Sequence, residues 1–84
     1  MEYKVLIKLY VPEIEKTYDM YIPINKTISE VLILLNRLIN NSTNGVYPIK
    51  NNIYLVNRKQ MNIYSNELLV RNTDIRNGTE LVLV

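Results

Sequence analysis

Residues 17–39, TYDMYIPINKTISEVLILLNRLI, change hydrophobic period in mid-course, and that change decides the fold. From Thr17 to Pro23 the chain alternates, with Tyr18, Met20 and Ile22 facing one way and Asp19 and Tyr21 the other, the period of a strand with one buried face. Pro23 ends the strand, because proline has no N–H to give to a ladder. Thr27-Ile-Ser-Glu30 then has the form of a capping box, in which the Thr27 hydroxyl accepts from the Glu30 amide while the Glu30 side chain reaches back. Behind it, Ile28, Val31, Leu32, Leu35, Leu38 and Ile39 recur at the spacing of a single helical stripe. The helix is predicted to run to about Asn40, where NNSTNG (40–45) supplies residues that favour turns over helix interiors.

Upstream, residues 3–11 (YKVLIKLYV) alternate in the same way, with Tyr3, Val5, Ile7 and Leu9 on one side and Lys4, Leu6, Lys8 and Tyr10 on the other. The short polar connection PEIEK (12–16) makes the two strands an antiparallel hairpin. Downstream, Ile53-Tyr-Leu-Val56 reads as a third strand, Asn57-Arg-Lys-Gln60 as a turn into a brief segment around Met61, and Leu68 and Leu69 as anchors of an irregular stretch. Asn77-Gly78 is a turn signal, since both residues tolerate positive φ. The chain closes on TELVLV (79–84), apolar enough to lie inside a sheet. A helix with one apolar stripe has to cover a sheet with one apolar face, so a two-layer α+β domain is expected over 1–84. The stripe should bury itself against Val5, Ile7, Tyr18, Met20, Ile22, Leu81 and Leu83.

Composition narrows the function. A chain of 84 residues buries only about 60–65% of its unfolded surface, and at 48% hydrophobic it has the apolar residues to do so. No apolar run approaches the roughly 18 residues of a membrane span, and the first residues lack the pattern of a signal peptide. A cytoplasmic protein with no direct membrane insertion is expected, and the N-X-Ser/Thr sequons are chance products of twelve asparagines. The formal charge of +2 comes from ten basic residues scattered along the chain, unlike the concentrated patch of a nucleic-acid binder. With neither His nor Cys, the commonest general base, the strongest nucleophile and the usual transition-metal ligands are missing. Ser29, Ser42 and Ser65 sit in a cap, a loop and a turn. Glu13 and Glu15, the closest carboxylate pair, flank the hairpin turn and are expected to be solvated. No glycine-rich phosphate loop occurs. No enzyme, cofactor or metal is expected.

The order of hairpin, helix, loop, short strands and final strand resembles that of the ubiquitin-like β-grasp fold: a mixed four- to five-stranded sheet packed on one helix. Val56-Asn-Arg-Lys-Gln-Met61 and Asp74-Ile-Arg-Asn-Gly-Thr-Glu-Leu-Val-Leu-Val84 resemble the third-strand turn and the last loop and strand of ubiquitin. Thr17-Tyr-Asp-Met-Tyr-Ile-Pro23, the Val56-Asn57 turn and Ile75 to Val84 are similar to the YukD/EsaB family, ubiquitin-like proteins associated with type VII secretion in Gram-positive bacteria. That resemblance spans essentially the whole chain. It implies the strand order 2-1-5-3-4. It also implies an accessory or regulatory role in a type VII secretion system, through contacts with a secretion ATPase or a membrane component. A ubiquitin-like modifier or sulfur carrier is the rival reading, disfavoured because the sequence carries no Gly-Gly after Val84. A stand-alone β-grasp adaptor of another pathway is the third, since a fold does not dictate a function.

The surfaces then carry the function. If Val5, Ile7, Leu81 and Leu83 face the helix, Leu6, Val82 and Val84 face outward on neighbouring strands, joined by either Tyr54 and Val56 or Ile53 and Leu55. Lys4, Lys8 and one of Arg58 or Lys59 would rim that face. The resemblance to ubiquitin implies a partner-binding patch there, with Val84 matching one of its members. The candidate protein-binding residues are Leu6, Lys8, Tyr54, Val82 and Val84, together with Ile33 on the polar side of the helix. The plainer alternative is a solvated sheet face with scattered aliphatics. A homo-oligomer would use the same face. Lys50, Arg58, Lys59, Arg71 and Arg76 fall in loop-rich sequence, where they serve either solvation or a weak anionic contact.

Overall fold

The computed structural model describes residues 3–84. Strands β1 (Lys4–Val11) and β2 (Lys16–Pro23) form the expected antiparallel ladder, with Leu6 opposite Tyr21, Lys8 opposite Asp19 and Tyr10 opposite Thr17. A 3-10 turn, Pro12–Ile14, joins them and closes on Glu15 in the left-handed region at φ 53°. Helix α1 (Ile28–Ser42) starts at Thr27 with both halves of the capping box formed. The Glu30 N–H donates to Thr27 Oγ1 at 3.2 Å, and the Thr27 N–H donates to Glu30 Oε1 at 2.9 Å. The backbone bond from Thr27 holds the Glu30 carboxyl below its usual pKa. Beyond the Thr43 cap, Asn44 and Gly45 turn the chain out of the helix with φ of 53° and 85°.

Strands β3 (Leu55–Asn57) and β4 (Glu80–Leu83) complete a four-stranded sheet in the order β2-β1-β4-β3. β4 runs parallel to β1 and antiparallel to β3. The brief segment after Met61 contributes a single bridge, Ile63 against Val56, where a full fifth strand would lie. Beyond β4, Val84 and Tyr54 exchange both backbone bonds, at 3.0 and 2.7 Å.

The core lies between α1 and one sheet face. Ile7, Leu9, Ile22, Leu81 and Leu83 meet Ile28, Val31, Leu32, Leu35 and Ile39, with Val5, Tyr18 and Met20 partly buried against them. Several expectations are corrected. Tyr3 precedes β1 and is exposed, and Leu38 is 46% exposed at the flank of the stripe. The opposite flank is taken by Asn36, only 2% exposed. Its amide donates to the Pro48 carbonyl at 3.0 Å and accepts the Lys50 N–H at 2.7 Å, which ties the following loop to the helix. Leu68 is largely exposed, and Val70, fully buried, anchors that stretch. Tyr47, Tyr64 and Ile75 bring further core from loops. Glu13 is not merely solvated. It pairs with Lys50, whose ammonium also sits 4.9 Å from the centre of the Tyr47 ring. The bond to Glu13 raises the Lys50 pKa.

Candidate docking surface

Strand alternation sends every second residue of the sheet away from α1, and the pairing register decides which of them meet. Tyr10 on β1 stands against Val82 on β4, Val82 against Val56 on β3, and Val56 against Ile63. Directly opposed residues share a face, so these four side chains form one row across four segments on the outer face. Tyr10 and Val82 are half-buried, Val56 is buried and Ile63 is exposed. Alongside lie Tyr54 and Val84, 46% and 52% exposed. The Arg58 guanidinium rests 5.0 Å from the centre of the Tyr10 ring, a geometry that attracts a cation to the ring face.

The third-strand register is therefore settled: Leu55 points inward with no exposure, while Tyr54 and Val56 belong to the outer face. Tyr54, Val82 and Val84 come together as expected. Leu6 does not join them. Lys8 stands opposite Glu80 and Tyr10 opposite Val82, so Leu6 lies four residues, roughly 13 Å, down β1 from the row. Leu6 sits instead beside the 77–78 turn, donating its N–H to Asn77 Oδ1 at 2.8 Å. Lys8 occupies the intervening charged row and lies 3.8 Å from Asp19, both side chains being exposed, an ion pair of the kind that adds little stability. Ile33, 58% exposed, lies on α1 beside Arg37 and Ile49, on the other layer of the molecule.

A buried polar network holds the β3 end of this face. Asn57 Nδ2 donates to the Tyr64 hydroxyl at 3.0 Å, and that hydroxyl donates to Asp74 Oδ1 at 2.6 Å. Asn57 Oδ1 accepts the N–H groups of Lys59 and Gln60, closing the turn. Burial, followed by the bond to Asp74, pushes the Tyr64 pKa up to about 12. Met61, in the same turn, is held at φ 60° and is strongly exposed.

Tyr10 and Ile63 complete the patch beyond the residues picked from the sequence, while Val56 and Arg58, each expected as one of two alternatives, take their places in it. Alternation already marks Tyr10 as outward-facing, but its neighbours follow only from the β1–β4 register, and Ile63 lies in a segment with no periodic signal. Among the described residues, no three carboxylates gather into a group able to hold a metal ion. No helix among them is long and apolar enough to cross a membrane.

Among solved structures, the chain is similar to one chain of the MycP5-free ESX-5 inner membrane complex, with a TM-score of 0.79 and 14% identity over 98% of its length. It spans only 21% of that chain. It is also similar to the ubiquitin-like domain of an Arabidopsis thaliana protein, with a TM-score of 0.64 and 18% identity, covering 96% of this chain and 76% of that one. A protein designed on ubiquitin matches at a TM-score of 0.66 and 19% identity, covering 100% of this chain and 90% of the design. The fold is ubiquitin-like. No protein-family model and no curated protein sequence matches the chain. At such identities the likeness is one of backbone, and in this β-grasp frame α1 covers one face of the sheet and leaves the Tyr10–Ile63 row open on the other.

Proposed function

We propose that this chain is a non-catalytic docking module whose outer sheet face binds a protein partner, as an accessory or regulatory part of a type VII-like secretion system on its cytoplasmic side. The observation that carries the reading is the row Tyr10–Val82–Val56–Ile63 with Tyr54 and Val84 beside it, a continuous apolar strip over four adjoining segments. Contiguity matters because interface energy concentrates in a few central residues, aromatic ones prominent among them. Tyr54 offers a large exposed ring at small entropic cost, and Arg58 offers a cation at the rim. The likeness to a chain of the ESX-5 inner membrane complex, together with the resemblance of residues 17–23 and 75–84 to the YukD/EsaB family, supports placing the partner among secretion components. A secretion ATPase is the first to test.

The test is a titration of the Tyr54→Ser, Val84→Ser double variant against the cytosolic region of the secretion ATPase, with size-exclusion chromatography of the chain alone. Both residues are about half exposed, so the variant should fold. Binding is expected to weaken by tenfold or more, at about 1.4 kcal/mol per decade. Leu6→Ser, off the row, should bind as the parent does. A folded double variant that matches the parent in both assays would leave the face as solvated sheet.

A further inference from the structure

The opposite end of β1 carries a second surface of different chemistry. There the chain leaving β2 is stitched to residues 70–71, with the Val70 N–H donating to the Lys26 carbonyl at 2.9 Å and the Arg71 N–H to the Ile24 carbonyl at 3.0 Å. This brings Val5, Ile24 and Ile75 together with Arg71 and Arg76 around one open cleft of about 240 Å³. The Arg76 guanidinium is held in place from a single nitrogen. Its Nη1 donates to the carbonyls of Thr73 and Ile75, each at 2.7 Å. The Nε and Nη2 hydrogens along the other edge remain available, and that edge matches a carboxylate in a two-point fork.

Two other loop cations are already engaged, Lys50 with Glu13 and Arg58 with the Tyr10 ring. Among the described residues neither Arg71 nor Arg76 pairs with a carboxylate, and the sequence neighbour Asp74 accepts from the Tyr64 hydroxyl instead. Two arginines without a carboxylate partner among the described residues, set over an apolar floor, are complementary to an apolar side chain flanked by carboxylates. We propose that this cleft binds an acidic peptide segment, with one aliphatic side chain against Val5, Ile24 and Ile75 and an Asp or Glu on each arginine. A free phosphate would leave the apolar floor unused. A lipid surface calls for a broad basic face, which scattered charge does not make.

The experiment is an NMR titration of the full isotope-labelled chain with the peptide Gly-Glu-Glu-Leu-Glu-Glu-Gly and with its Gln-for-Glu counterpart. The acidic peptide should bind saturably and shift the amides of Ile24, Arg71, Ile75 and Arg76, while the Gln peptide should not. Raising salt from about 0.1 M to about 1 M shortens the screening length from about 10 Å to about 3 Å and should weaken binding severalfold. Among the described residues Arg71 makes no side-chain hydrogen bond, so Arg71→Gln should stay folded and lose about tenfold in affinity. Arg76→Lys keeps the charge but not the fork, and should also weaken binding. The Tyr54→Ser, Val84→Ser variant should bind the peptide normally, which separates this cleft from the docking face. An absent or non-saturable response, an unchanged Arg71→Gln, or shifts centred on Lys59 would each overturn the proposal. Tighter binding to phosphatidylcholine–phosphatidylglycerol vesicles than to the peptide would overturn it in favour of a membrane surface.

Discussion

Asn36 places an amide on the buried side of α1 because the loop after the helix presents two backbone groups that need it. Asn36→Ala leaves the Pro48 carbonyl and the Lys50 N–H without their partner, and should cost about 1–3 kcal/mol in chemical denaturation, the penalty of unsatisfied buried polar groups. Tyr64 works in the same manner on the other side of the core, and it adds a pH dependence. Its hydroxyl moves from an ordinary 10.0 to about 12 on folding, so the folded state holds this proton more tightly than the unfolded chain does. The associated stability is complete below about pH 10 and is lost as the pH climbs from 10 towards 12. Tyr64→Phe should therefore be less stable at neutral pH by about 1–2 kcal/mol. Its unfolding free energy should also fall less steeply over the alkaline window than that of the parent.

At the scale of elements, α1 depends on its stripe. Leu35 is fully buried at the centre of that stripe, and Leu35→Ala should lower stability by about 2–5 kcal/mol, read as a drop in melting temperature. Met61 holds a left-handed backbone without being Gly or Asn. Met61→Asn should raise stability by about 1 kcal/mol, since Asn tolerates that region better. The hairpin and α1 could be read directly from the residues, because alternation and the capping box are local signals. Within α1 the departures from the sequence pattern fall on its flanks. Leu38 and Asn36 both border the stripe, and the loop carrying Pro48 and Lys50 covers one border only, a fact of tertiary packing. β3 and the Ile63 bridge were legible only in outline, since a run as short as Leu55–Asn57 has no periodicity of its own and takes its register from β4.

At the scale of the whole molecule, the sheet has one face under α1 and one face open; the two-layer α+β architecture follows from the order of elements, and the β-grasp assignment from the resemblance of residues 56–61 and 74–84 to ubiquitin. Which outward residues become neighbours did not follow, because a parallel pairing between the first and last strands is set by the register of residues more than seventy positions apart. Leu6 shares the outward parity of the candidate site, but the register sets it away from Val82 and puts Tyr10 there instead. Docking of a partner on the open face, as proposed, is open to amide chemical-shift mapping. The labelled chain would be titrated with the cytosolic region of the secretion ATPase. The predicted result is that perturbed amides cluster at Tyr10, Tyr54, Val56, Ile63, Val82 and Val84. Perturbations centred on Ile33, Leu34 and Leu38 of α1, with that row unmoved, would contradict it.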